Sequence, residues 1–361
     1  MSRHVVLAGG GSAGHVEPMM NTADALRRKD PGIGISAFGT AEGLEARLVP
    51  LRGYELAVIP KVPLPRHLSL ELLRVPARLR TAVVAARRHL DAVDADVVVG
   101  FGGYVSLPAY WAAHRRGTPI VVHEANAKAG LANRLGARWA TEIAVATAGP
   151  FAGAQVVGMP LRQQISALDR MASRAAARTS LGLGDGPVLL VTGGSQGARR
   201  INAAATASAA ALAAAGVQVL HITGPKQLDQ VRADLGPDAP PTHHLLGYVD
   251  EMAIAYAASD LVLCRAGAMT CAELTAVGLP AVYVPLPIGN GEQALNAQPI
   301  VSAGGGLLVK DEEVTEAFVT GTVLPLLLDG ERLPQMCAAA SSQGRRHADD
   351  ALADLVLRAI R

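Results

Sequence analysis

Apolar residues follow two rhythms along this chain. Short runs in which nearly every position is apolar, such as Val5-Val6-Leu7-Ala8 and Val188-Leu189-Leu190-Val191, alternate with longer stretches in which apolar residues recur every third or fourth position. A short run with no polar face predicts a strand buried on both sides, and the longer spacing predicts a helix. In the first half this places strands over residues 5–8, 32–39, 56–60, 96–99, 120–123 and 142–145. Helical segments fall over 16–28, from 42 onward, and over 69–90, the last interrupted near Pro76. The pattern restarts in the second half, with strands over 187–192, 218–223, 244–246, 261–264, 281–284 and 306–309 and a closing helix over 348–360. Strands alternating with helices imply parallel sheets covered on both faces. The expected fold is α/β, two Rossmann-like doubly wound domains facing a cleft. Their bounds are 1–162 and 163–344, joined at Gly158-Met159-Pro160-Leu161-Arg162, with a C-terminal helix over 345–361 packing back on the first.

Glycine changes this picture from scaffold to site. Gly9-Gly10-Gly11-Ser12-Ala13-Gly14-His15 and Gly193-Gly194-Ser195-Gln196-Gly197 each follow a strand and precede an alanine-rich helix, and Gly100-Phe101-Gly102-Gly103-Tyr104 follows another strand. Exposed amides at such a loop and helix start favour an anion, usually a phosphate. The first loop also spells G-x-G-x-x-G, which on its own suggests a dinucleotide. An oxidoreductase using NAD or FAD needs an acidic ribose ligand after the second strand. Phe38-Gly39-Thr40 stands there instead, with Glu42 only a loose substitute, and this disfavours that class. His15 sits at a helix start, where the dipole and neighbouring amides oppose its charged form. Its position suits either a base or a hydrogen bond to the loop.

Composition narrows the classes further. With 361 residues, 50% hydrophobic and 18% charged, the chain has material for two packed cores. A net charge of +2 and 3% aromatic residues give no basis for nucleic-acid binding. Cys264, Cys271 and Cys337 lack metal spacing and read as buried thiols of a reducing compartment. The first residues run directly into a strand and no apolar segment suits a membrane span, so a cytoplasmic location is expected. Asp94-Ala95-Asp96 has the form of a metal-binding D-x-D but precedes its strand and reads as turn chemistry. His221 and His243-His244 lack ligand spacing; no catalytic metal and no cofactor are expected.

Seven segments, in order, carry a resemblance: GGGSAGHVEP from Gly9, GTAEGLEARLVPLRGYEL from Gly39, GFGGYVSLP from Gly100, HEANAKAGLANRL from His123, GGSQGARRIN from Gly193, CRAGAMTCAE from Cys264 and GEQALNA from Gly291. Together they resemble the MurG family of glycosyltransferases (family 28). The resemblance implies a GT-B fold, inversion at the sugar, and transfer of N-acetylglucosamine from UDP-N-acetylglucosamine to the muramoyl C4 hydroxyl of lipid I, giving lipid II. It implies donor contacts from Ser12, Ala13, Gly14 and Asn126 in the first domain. In the second it implies Arg162, Ser195, Gln196, Val249, Ala268, Met269, Thr270, Glu273 and Gln293. For the acceptor it implies His15, Tyr104, Glu124 and Asn126, with His15 or Glu124 as the catalytic base. Glu273 suits both ribose hydroxyls, and Arg162 adds a charge-assisted contact to the diphosphate.

Two positions depart from the family pattern: Glu292 precedes Gln293 where paired glutamines are common, and Met159 stands where asparagine is common. A lipid acceptor implies peripheral attachment at the cytoplasmic face of the cell membrane. The leucines of 62–65 and 68–79, Leu72 and Leu73 among them, lie beside Arg66, Arg74, Arg78, Arg80, Arg87 and Arg88. They form a basic amphipathic stretch suited to an anionic bilayer, or an ordinary helix packed on the sheet. Partners in the cell-wall or division machinery follow from the resemblance without being named by any residue. A related GT-B transferase, a nucleotide-sugar epimerase or a non-catalytic binding scaffold would share the donor loops.

Overall fold

The computed structural model describes residues 3–62, 75–194, 197–287 and 291–360. The chain divides into two compact units, one of residues 1–161 with 347–361 and the other of residues 162–346.

The first unit is built on seven parallel strands: β1 (His4–Gly9), β2 (Gly34–Gly39), β3 (Glu55–Val58), β4 (Val97–Gly102), β5 (Ile120–Glu124), β6 (Glu142–Val145) and β7 (Gln155–Val156). Their order is β3-β2-β1-β4-β5-β6-β7. Side chains alternate across a strand, so Val5 and Leu7 enter one core with Met19, Met20 and Leu26, while Val6 and Ala8 enter the opposite one with Leu90, Val98 and Tyr110. This explains why β1 shows no polar face. The closing helix, Ala348–Ala359, adds Leu352, Leu355 and Val356 to the first of these cores, all with no exposure. Each such burial stabilises by roughly 1.5–3 kcal/mol. That apolar contact carries the attachment, and the Arg28–Asp349 and Lys29–Asp354 pairs at 2.6 and 2.8 Å add direction at its edge.

Pro76 is the second residue of the helix Val75–Ala92. The interruption expected near it falls at the edge of residues 63–74, which lie outside the described residues. The helix after β1 begins at Ala13, earlier than apolar periodicity marks, because Ala13-Gly14 continue the helical backbone without a large side chain.

The second unit has six parallel strands: β8 (Val188–Thr192), β9 (Gln218–Ile222), β10 (His243–Leu246), β11 (Leu261–Arg265), β12 (Ala281–Val284) and β13 (Gly306–Leu308), ordered β10-β9-β8-β11-β12-β13. Leu189, Val191, Leu261, Leu263, Val282 and Val284 form its main core. The helix Arg170–Ser180 is pinned by Arg178, which donates to Ala258 O at 3.1 Å and to Asp260 Oδ2 at 2.9 Å. In each sheet the strand order reverses once, between β1 and β4 and between β8 and β11. Crevices outside the carboxyl ends of strands at such a reversal are where doubly wound folds hold ligands.

Candidate active site

All three glycine loops leave strands at these reversals. In the first unit the pairing of β1 with β4 slips between Ala8 and Gly9, so Gly9 opposes Gly102 and Phe101 bulges. Gly103 has φ +83°, and a Cβ there would collide with the carbonyl oxygen of Gly10. The two loops therefore meet backbone to backbone, which only glycine permits. Tyr104 is 45% exposed, with its ring against Gly11 and Lys61 Nζ 5.7 Å above it.

His15 lies in the first turn of the helix Ala13–Lys29, for which Ser12 is the N-cap. Its Nδ1 is 3.2 Å from Gly10 O and 3.1 Å from Ser12 Oγ. A carbonyl oxygen only accepts, so this contact places the proton on Nδ1 and leaves the basic lone pair on Nε2. Nε2 faces Gly102, where a Cβ would sit 3.1 Å from it.

Glu124 ends β5 and is only 3% exposed. Its Oε1 accepts from Asn126 N at 2.9 Å and Asn126 Nδ2 at 3.4 Å. Its Oε2 accepts from Gly130 N and Asn133 Nδ2, both at 3.0 Å. A carboxylate offers about four acceptor sites, and here four donors fill them. Asn133 also accepts from Tyr110 OH at 2.8 Å and donates to His123 O at 3.1 Å. Of the two candidate bases, Glu124 has both oxygens engaged by the 126–133 segment, whereas His15 turns Nε2 toward Gly102.

The sequence gives Glu45 no role, yet the structure buries it to 1% exposure beneath the first glycine loop. Its Oε1 accepts from Thr40 N and Thr40 Oγ1, both at 2.9 Å, and its Oε2 from Gly11 N at 3.1 Å. Burial pushes the carboxyl pKa up, but hydrogen bonds from the amides of Thr40, Glu45 and Gly11 and the Thr40 hydroxyl outweigh it and hold the group below its usual range. A charged residue on the buried side of the amphipathic segment after Gly39 is the one sequence signal that marks it.

In the second unit, Ser195 and Gln196 lie outside the described residues; the loop around them runs from β8 to the helix Arg199–Ala207. After β11 comes the helix Ala268–Val277, with Gly267 as N-cap and Ala268, Met269 and Thr270 in its first turn. Glu273, one turn on, accepts from the buried Tyr256 hydroxyl at 2.7 Å, which fixes its carboxylate. Burial, then the Glu273 charge, keeps that phenol protonated. Val249 is half-buried just past β10, and Arg162 is the N-cap of Gln163–Ser166.

Gln293 Oε1 accepts from Leu286 N at 2.9 Å, so the donor end of its carboxamide is turned away from that amide. Glu292 opens the helix Glu292–Ser302, where an acid suits the dipole. Met159 is buried in the first unit. Arg265 ties three loops together: it pairs with Asp311 at 2.6 Å and donates to Val284 O and Pro285 O at 3.3 Å, while Asp311 also pairs with Arg200 at 3.1 Å.

Several other residues take structural places. His221 Nδ1 and His243 Nε2 are 3.1 Å apart, and His221 Nε2 is 3.0 Å from Asn202 Oδ1. Burial, then each neighbouring histidine, lowers their pKa values to about 3 and about 4. Cys264 and Cys271 are buried, with the Cys271 thiol pushed up to about 12, whereas Cys337 is only half-buried. Asp94 occupies a left-handed turn and pairs with Arg116 at 2.7 Å, and Asp96 accepts from His4 N at 2.6 Å.

Two doubly wound domains with glycine loops at their strand-order reversals make the GT-B architecture. Residues 5–145 match the glycosyltransferase family 28 N-terminal domain and residues 188–352 the family 28 C-terminal domain. The chain belongs to this family and, within it, to the MurG transferases. It is 58% identical over 360 residues to a Streptomyces avermitilis protein named UDP-N-acetylglucosamine--N-acetylmuramyl-(pentapeptide) pyrophosphoryl-undecaprenol N-acetylglucosamine transferase, covering 99% of this chain and 98% of that one. It is 58% identical to the protein of the same name from Acidothermus cellulolyticus, over 98% and 97% of the two chains. The crystal structure of Acinetobacter baumannii MurG superposes with a TM-score of 0.81 at 28% identity, covering 99% of both chains.

Proposed function

We infer that this chain is the N-acetylglucosaminyltransferase that joins the sugar of UDP-N-acetylglucosamine to lipid I, undecaprenyl-pyrophosphoryl-N-acetylmuramyl-pentapeptide, and so forms lipid II. The observation that carries the reading is the 58% identity, spanning nearly the whole chain, to transferases named for this reaction. The glycine loops that leave β1, β4 and β8 at the strand-order reversals suit such a reaction.

The second unit holds the donor. Amides of the loop after β8, with Ser195 and Gln196, take the diphosphate, and Arg162 adds a charge-assisted contact. Glu273, steadied by Tyr256, accepts from the ribose hydroxyls, and Val249 offers its backbone to uracil. Ala268, Met269, Thr270 and the amide nitrogen of Gln293 complete the donor contacts. From the first unit, Ser12, Ala13, Gly14 and Asn126 also contact the donor, and Tyr104 and Asn126 meet the acceptor. His15 Nε2 takes the proton from the muramoyl C4 hydroxyl as that oxygen attacks the anomeric carbon. The C1–O bond to UDP breaks on the opposite face, which inverts the configuration, and loop amides stabilise the departing diphosphate. Glu124 acts through the loop it shapes.

The acceptor is a membrane lipid, and among the described residues no helix is long and apolar enough to cross a membrane. The enzyme's proposed place is peripheral, at the cytoplasmic face, where a lipid acceptor and a nucleotide-sugar donor can meet. In Val75–Ala92 the stripe Ala82, Ala86 and Leu90 is buried, the last two in the core with Val6, Ala8 and Val98, while Arg80, Arg87 and Arg88 are exposed. That arrangement supports an anionic lipid surface as the partner. Residues 63–74, with Leu72 and Leu73, lie outside the described residues.

Replacing His15 by asparagine tests the base. Turnover is expected to fall at least ~100-fold with UDP-N-acetylglucosamine affinity nearly unchanged; full turnover in His15→Asn would remove His15 from the mechanism.

A further inference from the structure

We propose that Glu45 is a positioning residue for the transfer reaction, holding and polarising His15 through the single peptide group that joins Gly10 to Gly11. The proposal rests on the reading of His15 as the base.

The geometry is a relay with one peptide in the middle. The N–H of Gly11 donates to Glu45 Oε2 at 3.1 Å, and the C=O of Gly10 faces His15 Nδ1 at 3.2 Å. Gly10 O and Gly11 N belong to the same planar amide, so their bonds point in opposite directions from one rigid unit. A carboxylate on the N–H end draws that amide's dipole into line and makes the carbonyl oxygen a stronger acceptor. The Nδ1–H bond to it strengthens in turn, which fixes the tautomer with its lone pair on Nε2 and raises the basicity of that nitrogen. A carboxylate bonded directly to an imidazole does the same in hydrolytic triads.

The site is built for this carboxylate. A Cβ on Gly10 would lie 2.8 Å from Glu45 Oε1, and one on Gly39 or Gly43 would collide with the same side chain. Three glycines thus open the socket, and Thr40 clamps the other oxygen through both its amide and its hydroxyl. Glu45 stands in the first turn of Leu44–Leu51, where the helix dipole favours its charge. The Glu45 carboxylate is bonded by Thr40 and by the amide of Gly11, so its influence on substrate passes through the backbone. Nearby, Glu17 on the same helix as His15 pairs with Arg52, Tyr104 lies against Gly11 with Lys61 above its ring, and Glu124 is bonded by Asn133.

The test is Glu45→Gln in the full chain, read by steady-state kinetics across pH and by NMR titration of the His15 ring. The amide keeps the shape and loses the charge. Expected are a kcat lower by ~10–100-fold, a KM for UDP-N-acetylglucosamine within about twofold of the parent, and a His15 pKa lower by about half a unit. Losing a negative charge disfavours imidazolium, so the acid limb of the kcat/KM profile moves to lower pH. A role confined to folding would lower activity while leaving the limb and the His15 titration in place, and that result, or an unchanged kcat, overturns the proposal.

Should Glu45→Gln fail to fold, the parent enzyme supplies the same test. The Gly11 amide nitrogen resonance should titrate together with His15, and a flat Gly11 resonance through that range overturns the relay. Full turnover in His15→Asn would instead defeat the base assignment itself, an outcome separate from an unmoved His15 titration in Glu45→Gln.

Discussion

Exchanging Glu124 for glutamine swaps one acceptor oxygen for an amide nitrogen and leaves the outline of the side chain unchanged. Whichever way the carboxamide turns, that nitrogen meets two N–H donors: the amide and side chain of Asn126 at one end, or Gly130 N and Asn133 Nδ2 at the other. Two hydrogen bonds to a buried charged acceptor are lost, each contributing about 1.5–3 kcal/mol. Some relaxation is open to the loop, so a local loss of about 3 kcal/mol is expected. At 1.4 kcal/mol per decade this is roughly a hundredfold rise in the opening of the 125–130 loop. Native-state hydrogen exchange reads it directly at the amides of Asn126 and Gly130, with the amides of β1 and β4 as internal references. The expected result is fast exchange confined to the loop, with turnover falling alongside it. Collapsed turnover with parental exchange at both amides would refute the reasoning, because Glu124 would then act on substrate rather than on the loop.

Two further outcomes follow from the second unit. His221 and His243 are held neutral, with pKa values of about 3 and about 4, against about 6.5 in an unfolded chain. The unfolded state therefore binds protons that the folded state refuses. Stability is full above about pH 6.5 and falls toward pH 4 by up to about 1.4 kcal/mol per pH unit for each imidazole. Denaturant midpoints at pH 7.5 and pH 5 measure this, and His243→Gln should flatten the dependence; equal slopes in the two proteins would contradict it. Tyr256→Phe removes the hydroxyl that orients Glu273, and should raise the Kd for UDP-N-acetylglucosamine about tenfold by calorimetry, whereas unchanged affinity would detach Glu273 from ribose binding.

The strands of both sheets were legible because parallel strands buried on two faces leave unmistakable apolar runs; β1, β8 and β12 are such runs. β7 was not, since Gln155–Val156 is a two-residue edge strand with no periodicity to detect. The glycine loops were legible as motifs, but strand order was not, and it is strand order that sets them at the reversals. His15 stood out as a histidine at a helix start, yet only the Gly10 carbonyl decides its tautomer. Glu124 and His15 were equivalent candidates in sequence, because composition cannot show that four N–H donors already fill one of them. Glu45 and Asn133 were missed for the same reason: a buried polar side chain announces itself through its partners, which lie far away in sequence.

Release of UDP from UDP-N-acetylglucosamine by the purified protein, with and without a lipid I analogue bearing a shortened prenyl chain, tests the central claim most directly. The account predicts release that depends on the analogue, with stoichiometric formation of the disaccharide lipid. UDP-sugar bound but not consumed in the presence of the analogue would contradict it, leaving the fold and the donor loops with a different acceptor.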